Sequence, residues 1–248
     1  STKIYKVDTP DILIAGCGTG QHSINVARRF KDSSVLAVDL SLRSLTYAKR
    51  KTQELKIDNV QYMQGNILNI TKVDRKFDII ESVGVLHHME KPISGWKALI
   101  DCLKPGGLIK VGLYSKLARK NIEIIRKEIN QLGIKPTAEN MTSFREDLIK
   151  SDCEHHQRVT QSTDFYSLSE FRDLLFHVQE HQFTIHEIKE CLSDLNLGFC
   201  GFESNALTEF KKIYPNSNDL YDLDKWSIYE KGNPQAFFGM YQFWCQKL

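Results

Sequence analysis

A short apolar run that leads directly into three closely spaced glycines constrains the fold of this chain more than any other feature. Residues 12–15 read Ile-Leu-Ile-Ala, and Gly16, Gly18 and Gly20 follow at alternate positions. Glycine tolerates backbone angles that a side chain forbids, and it lets a ligand approach the main chain closely. A helical pattern begins at residue 21, which places the free N–H groups of a helix N-terminus behind the glycines. The segment predicts a strand, a ligand-binding turn and a helix.

A carboxylate stands at the end of the second apolar run, where Asp39 follows residues 35–38. It lies about 20 residues beyond the glycines, the position from which an acidic residue holds a ribose diol in nucleotide-binding α/β folds. The dinucleotide pattern G-x-G-x-x-G is not met, because Gln21 occupies the place of its last glycine. Together the glycines and Asp39 predict a nucleoside cofactor, and they disfavour a dehydrogenase.

Apolar runs alternate with helical periodicity through the first half of the chain. The five runs occupy residues 12–15, 35–38, 60–63, 77–80 and 108–113. Strands separated by helices in this way predict a parallel sheet with right-handed crossovers. The pattern is helical over residues 115–195, and strand composition returns at residues 198–202 and 237–244. We therefore predict five parallel strands, a helical insertion and a terminal pair of strands.

Three short motifs lie in the helical part. Ser167 with Glu170, and Thr184 with Glu187, fit the S/T-x-x-E capping box that opens a helix. Residues 177–181 read His-Val-Gln-Glu-His, which matches an inverted zinc-peptidase motif and places two histidines one turn apart on a predicted helix. No third ligand is identifiable, so the expectation is that no metal is bound. A nonhydrolytic metal or substrate contact and ordinary helix-flank histidines stay open as alternatives.

Four segments together resemble the class I S-adenosylmethionine-dependent methyltransferases. The first is the glycine loop itself, whose G-x-G-x-G spacing is the form found in that family. Residues 64–67 are similar to the family's segment after the third strand, residues 77–89 to its fourth strand and loop, and residues 103–108 to the hinge before its fifth. These segments have the family's order across about residues 10–114. Residues 165–248 resemble the C-terminal part of bacterial methyltransferase modules often joined to tetratricopeptide repeats.

This resemblance implies an α/β, Rossmann-like, three-layer αβα fold. Its sheet is mostly parallel and seven-stranded, with an antiparallel last strand and a helical insertion after strand five. Residues 1–114 would form the cofactor-binding half, residues 115–195 the insertion or lid, and residues 196–248 the strands that complete the sheet. The implied function is that of a cytoplasmic enzyme. It would transfer a methyl group from S-adenosyl-L-methionine, leaving S-adenosyl-L-homocysteine, to an N or O nucleophile of a small-molecule or protein acceptor.

The resemblance also implies which residues contact the cofactor. They are Gly16, Cys17, Gly18, Gly20, His22, Asp39, Leu40, Ser41, Gly65, Asn66, Ile67, Ser82 and Val83. Methyl transfer from a sulfonium depends on positioning, and a base is needed only where the nucleophile must lose a proton. The sequence shows no unique base. The candidates are His87, His88, Tyr114 and Tyr166.

Two departures from the family motivate an alternative function. Ile14 stands where the family usually has an acidic residue that helps to hold the methionine amino group, and Asn66 occupies a position that is commonly Asp. A non-catalytic S-adenosylmethionine-binding module or scaffold is therefore kept open.

Charge and cysteine usage narrow the choice of partners. The net charge of +2, from 33 basic and 31 acidic residues, predicts neither a nucleic acid nor a membrane partner. The scattered cysteines suit the cytosol, since none forms a CxxC pair. Because the chain starts at Ser1 rather than Met, we expect it to be a fragment of a longer or processed protein. The resemblance to repeat-linked modules implies that an upstream repeat domain is absent from this chain.

Overall fold

A mixed sheet organises the chain, for which a computed structural model describes residues 7–177 and 179–248. The strands are β1 (Asp11–Ala15), β2 (Ser34–Asp39), β3 (Val60–Gln64), β4 (Phe77–Val83), β5 (Leu103–Ser115), β6 (Gln182–Phe183), β7 (Leu197–Phe202) and β8 (Tyr241–Lys247). Their order across the sheet is β3-β2-β1-β4-β5-β8-β7, and β6 pairs with β5 off this path. Strands β1 to β5 are parallel, and β8 runs antiparallel to both β5 and β7. This confirms the predicted seven-stranded sheet.

Helices cover both faces of the sheet and form a separate group after β5. They are α1 (Gln21–Arg29), α2 (Leu42–Glu54), α3 (Pro92–Cys102), α4 (Lys120–Gln131), α5 (Ala138–Lys150), α6 (Glu154–Val159), α7 (Leu168–Phe176), α8 (Ile185–Asp194), α9 (Leu207–Ile213) and α10 (Leu223–Gly232). Short 3₁₀ turns occupy Ile67–Val73, Leu86–His88, Thr163–Phe165 and Ser217–Tyr221. None of the described helices has the length and apolar character needed to cross a membrane.

Strand β1 is apolar over residues 12–15 because both of its faces are covered. In β1, Leu13 packs in the cluster that contains α3 and α8, and Ile12 and Ile14 pack with residues of α1 and α2 on the opposite face. Strands buried on both faces read as continuous apolar runs, which explains why the sequence predicts them well. Helices α4 to α7 share a second core that includes Ile125 and Phe171.

Local predictions in the helical part have mixed outcomes. Thr184 and Glu187 form the predicted capping box at the start of α8. The prediction is wrong at Ser167, whose side chain makes no capping hydrogen bond and instead contacts the Ser169 hydroxyl. The prediction that His177 and His181 lie on one helix is also wrong, because α7 ends at Phe176.

Candidate functional site

The turn after β1 is tightly packed on its outer sides and open in its middle. Gly16 has a φ of 82°, and a Cβ at that position would lie 2.3 Å from a Val85 methyl carbon. A Cβ on Gly20 would meet Ala48 at 2.5 Å, whereas one on Gly18 would meet no atom within 4 Å. Backbone and side chain thus leave no room for substitution at two of the glycines, and the third borders free space.

Asp39 ties this turn to the end of β2. Its Oδ2 accepts a hydrogen bond from the Gly18 N–H at 2.8 Å, and its Oδ1 accepts one from the Ser41 N–H at 2.8 Å. Ser41 in turn caps α2 by accepting from the Ser44 N–H. Within the described residues each carboxylate oxygen of Asp39 accepts one hydrogen bond, so its remaining lone pairs can accept hydrogen bonds from ligand hydroxyls.

A cavity of about 300 Å³ opens beside Asp39 at the carboxyl ends of the parallel strands. Its lining residues are Gly16, Val38, Asp39, Leu40, Gly65, Asn66, Ile67, Leu68, Val85, His88, Met89 and Glu90. Ligands of open α/β sheets bind in this position. Asp39 and Glu90 are the acidic residues of the lining, which includes no lysine or arginine. The cavity therefore suits a neutral or cationic ligand better than a phosphate.

The predicted cofactor contacts divide between this cavity and the structure around it. The predicted residues that line the cavity are Gly16, Asp39, Leu40, Gly65, Asn66 and Ile67. Those that do not are Cys17, Gly18, Gly20, His22, Ser41, Ser82 and Val83. Asn66 accepts from the Leu68 N–H and so opens the 3₁₀ turn beside the cavity. Burial, reinforced by the Asp39 charge, raises the pKa of the Cys17 thiol to about 12, which keeps it protonated.

Sequence reasoning missed several apolar walls of the cavity, among them Val85 and Met89. Both lie in the segment after β4, whose irregular backbone has no periodic pattern. The glycine at position 16 was the available sequence signal, because a glycine in such a turn indicates a neighbour too close for a Cβ. The sequence alone does not show that this neighbour is Val85.

The two histidines after β4 differ in their surroundings. His87 is fully buried and makes no hydrogen bond of ordinary geometry through either ring nitrogen. Burial lowers its pKa to about 3, helped by the charges of His88 and Arg119, and the nearby Gly112 backbone opposes the shift only in part. His88 lines the cavity, and burial lowers its pKa as well. Both imidazoles are therefore neutral at physiological pH.

Tyr114 and Tyr166 have different surroundings. The Tyr114 ring centre is 4.0 Å from that of His87, and the Arg119 guanidinium lies 3.6 Å from the ring centre on the same tyrosine. Burial raises the pKa of Tyr114, which keeps the phenol protonated. Tyr166 is 66% exposed and lines neither of the cavities described here.

The segment that follows α7 crosses over the two histidines. The His177 ring stacks on His88 at 4.1 Å between centres, and the His181 N–H donates to the His87 carbonyl at 2.8 Å. Glu180 accepts two hydrogen bonds from Arg119, at 2.7 and 2.9 Å, and one from Arg126 at 2.8 Å. The motif residues thus hold the chain in place, and among the described residues they form no metal-ligand group.

One group with ligand spacing does occur in the described ranges, at Cys153, His155 and His156. The Nε2 atoms of both histidines bind the Glu128 carboxylate, at 2.8 and 2.7 Å. These atoms are already satisfied by protein, and α6 lies outside both cavities.

A second and larger cleft, of about 910 Å³, lies between the helical group and the C-terminal strands. Its lining residues are Tyr114, Gln161, Ser162, Thr163, Asp164, Glu203, Ser204, Asn205, Leu207, Gln235, Ala236, Phe237, Phe238, Gly239, Met240 and Gln242. Met240 joins it to the sheet, since a Cβ on Gly112 would lie 2.9 Å from the Met240 sulfur. The smaller cavity is lined from the ends of β1 to β4 and the larger cleft reaches Tyr114 near the end of β5, so both lie at the carboxyl edge of the parallel strands.

Comparison with known proteins agrees with this arrangement. Residues 12–107 match a family model described as a methyltransferase domain. The chain is 27% identical over 236 residues to an uncharacterised protein of Synechococcus sp. The aligned region covers 89% of this chain and 56% of that protein. It is 29% identical over 149 residues to an uncharacterised methyltransferase of Schizosaccharomyces pombe, covering 54% of each. The chain spans little more than half the length of these relatives.

Among solved structures, PKMT2 from Rickettsia typhi in complex with AdoHcy has the same fold. The TM-score is 0.72 over 98% of this chain and 50% of that chain, at 18% identity. Magnesium protoporphyrin IX methyltransferase from Synechocystis, with bound SAH, gives a TM-score of 0.55 over 97% of this chain and 75% of that chain, at 14% identity. At these identities the likeness establishes the architecture.

Proposed function

We propose that this chain, which carries a methyltransferase domain of the class I fold, binds S-adenosyl-L-methionine and transfers its methyl group to an acceptor. The acceptor is an N or O nucleophile of a small molecule or a protein. The observation that carries the proposal is that Gly16, the first residue of the glycine turn, and Asp39 line one cavity at the carboxyl ends of β1 and β2, with the Gly18 N–H bound to the Asp39 carboxylate.

The residues present fit this cofactor. Asp39 has acceptor capacity for ribose hydroxyls, and the apolar side chains of Leu40, Ile67 and Met89 offer walls for a purine. The acidic lining matches the positive charge of a sulfonium and gives no support to the pyrophosphate of a dinucleotide. When bound, S-adenosylmethionine supplies a methyl group activated by its positively charged sulfur.

The chain's own contribution to the reaction is alignment and exclusion of water. An in-line displacement gains most of its rate from holding the nucleophile and the methyl carbon in line. The larger cleft beside Met240 is the proposed acceptor site, because it lies at the same carboxyl edge of the sheet as the cofactor cavity. His88 lines the cofactor cavity as a neutral imidazole, which supports His88 over His87 as the proposed proton acceptor. His87 is sealed inside and supports Tyr114.

Methyl transfer is tested with S-adenosylmethionine labelled in its methyl group, incubated with protein and small-molecule fractions of a cell extract. With the cofactor below saturation, we expect label in one fraction with the wild-type chain and with the exposed-residue control Asp147→Asn, and about tenfold less with Asp39→Asn. Tight cofactor binding without label in any fraction would favour the non-catalytic module. An upstream repeat domain and a cytoplasmic location remain predictions.

A further inference from the structure

On the side of the glycine turn opposite Asp39 lies a buried carboxylate that pairs with no lysine or arginine among the described residues. Glu81, in β4, is 6% exposed, and its Oε2 bonds the Nε2 of His22 at 2.8 Å. The other oxygen, Oε1, accepts no hydrogen bond within residues 7–177 and 179–248, and it is not sealed from solvent. Carboxylates are rarely buried unless they are paired. This one has half of its acceptor capacity unused.

Two other carboxylates with buried side chains, Glu180 and Glu230, have a partner on each oxygen. Glu180 binds Arg119 and Arg126, whose charges lower its pKa despite its burial. Glu230 accepts hydrogen bonds from the Ser115 and Tyr241 hydroxyls, and its burial raises its pKa. Within the described part of the chain, Glu81 forms no ion pair with an arginine or a lysine, and its one side-chain partner, His22, has a side chain that is 44% exposed. A further positive group would therefore complete the site around Glu81.

The sheet places Glu81 next to the glycine turn. In the parallel pairing of β1 with β4, Glu81 is the register partner of Ile14, so the two side chains point to the same face. His22 is on the first turn of α1, two residues after Gly20. Strands β2 and β4 flank β1 on its two sides, which puts Asp39 and Glu81 roughly 10 Å apart across the turn.

We propose that Glu81, assisted by His22, binds the α-ammonium group at the amino-acid end of S-adenosylmethionine, a role for which Ile14 has no polar atom. The proposal rests on the proposed function, because it assigns the second end of the same ligand. Asp39 holds the nucleoside end, and Glu81 holds the amino-acid end across the glycine turn. An ammonium–carboxylate pair in a buried site is a charge-assisted hydrogen bond, stronger than a neutral one.

The test combines a change in the protein with the matching change in the ligand. Binding is measured by calorimetry for S-adenosylhomocysteine, for its analogue with hydrogen in place of the α-amino group, and for methylthioadenosine, which lacks the amino-acid end. We expect the wild-type chain to bind S-adenosylhomocysteine about 10- to 100-fold more tightly than the deaminated analogue. Glu81→Gln should abolish that difference and leave the affinity for methylthioadenosine within about twofold.

Control variants separate the possible failures. Asp39→Asn should weaken all three ligands alike, since it acts on the nucleoside end. Glu81→Met, an apolar side chain of similar length, serves as a second variant if the buried amide of Glu81→Gln prevents folding. If either folded Glu81 variant keeps the wild-type preference for the α-amino group, the role of Glu81 is overturned and the proposed function stands. If the wild-type chain binds none of the three ligands, both fall.

Discussion

At the scale of single residues, burial decides which titratable groups can serve the reaction. The side chain of His87 is fully buried and lies against the ring of Tyr114, and its backbone carbonyl accepts a hydrogen bond from the His181 N–H. Its charged form is excluded there, whereas His88, one residue on, lines the cavity. The sequence names both histidines as candidates and cannot separate them, because adjacent residues in a loop have no periodicity that assigns them to a face.

The pKa of His87 leads to a prediction about acid stability. It is about 3 in the folded chain and about 6.5 when unfolded, so the neutral form favours folding. The stabilisation is complete above pH 6.5 and is lost as the pH falls towards 3, by up to about 1.4 kcal/mol per pH unit. In urea unfolding at a series of pH values, His87→Phe should show a shallower loss of stability below pH 6.5. The exposed control His186→Phe should keep the wild-type slope, and an unchanged slope in His87→Phe would contradict this account.

At the scale of elements, local signals specify what local interactions build. The glycine turn and the Thr184 capping box are predicted correctly because the residues that form each one are neighbours in sequence. The segment with His177 and His181 is mispredicted as helix because distant residues set its path. Glu180 accepts hydrogen bonds from Arg119 and Arg126. The His181 N–H donates to the His87 carbonyl. Neither contact can be predicted from the local sequence pattern, because the partners are far apart along the chain.

The two predicted capping boxes give a matched pair of variants. Thr184→Ala removes the side-chain acceptor for the Glu187 N–H, so we expect a loss of about 1 kcal/mol in the free energy of unfolding. Ser167→Ala removes no capping bond, and its effect should stay within about 0.5 kcal/mol. Urea titration of both variants and the wild-type chain measures these changes in the free energy of unfolding. Equal losses in the two variants would show that Ser167 does cap α7.

The ion pairs of Glu180 should anchor the crossing segment. Glu180→Gln leaves Arg119, whose side chain is 3% exposed, without a counter-charge, and we expect a loss of about 3 kcal/mol or more in unfolding free energy. Glu154→Gln breaks an exposed pair with Arg158 and should change stability by less than about 0.5 kcal/mol. If Glu180→Gln is as stable as the wild-type chain in the same urea titration, the segment is held by other contacts.

At the scale of the whole molecule, the sheet brings two cavities to one edge. Parallel strands end together, so residues from four separate loops border the smaller cavity, and Asp39 lies among them. The larger cleft depends on the helical group and the C-terminal strands, which meet only in the folded chain. That is why the motif-bearing half of the site follows from the sequence, and why the residues around the acceptor cleft do not.

We propose that the adenosyl cofactor binds in the cavity beside Asp39. Calorimetric titration of S-adenosylhomocysteine and NADH into the wild-type chain, Asp39→Asn and Asp147→Asn tests this directly. We expect the wild-type and Asp147→Asn chains to bind S-adenosylhomocysteine but not NADH, and Asp39→Asn to bind S-adenosylhomocysteine about tenfold or more weakly. Equal affinity in the folded Asp39→Asn chain, or preference for NADH, would show that this cavity is not the adenosyl site.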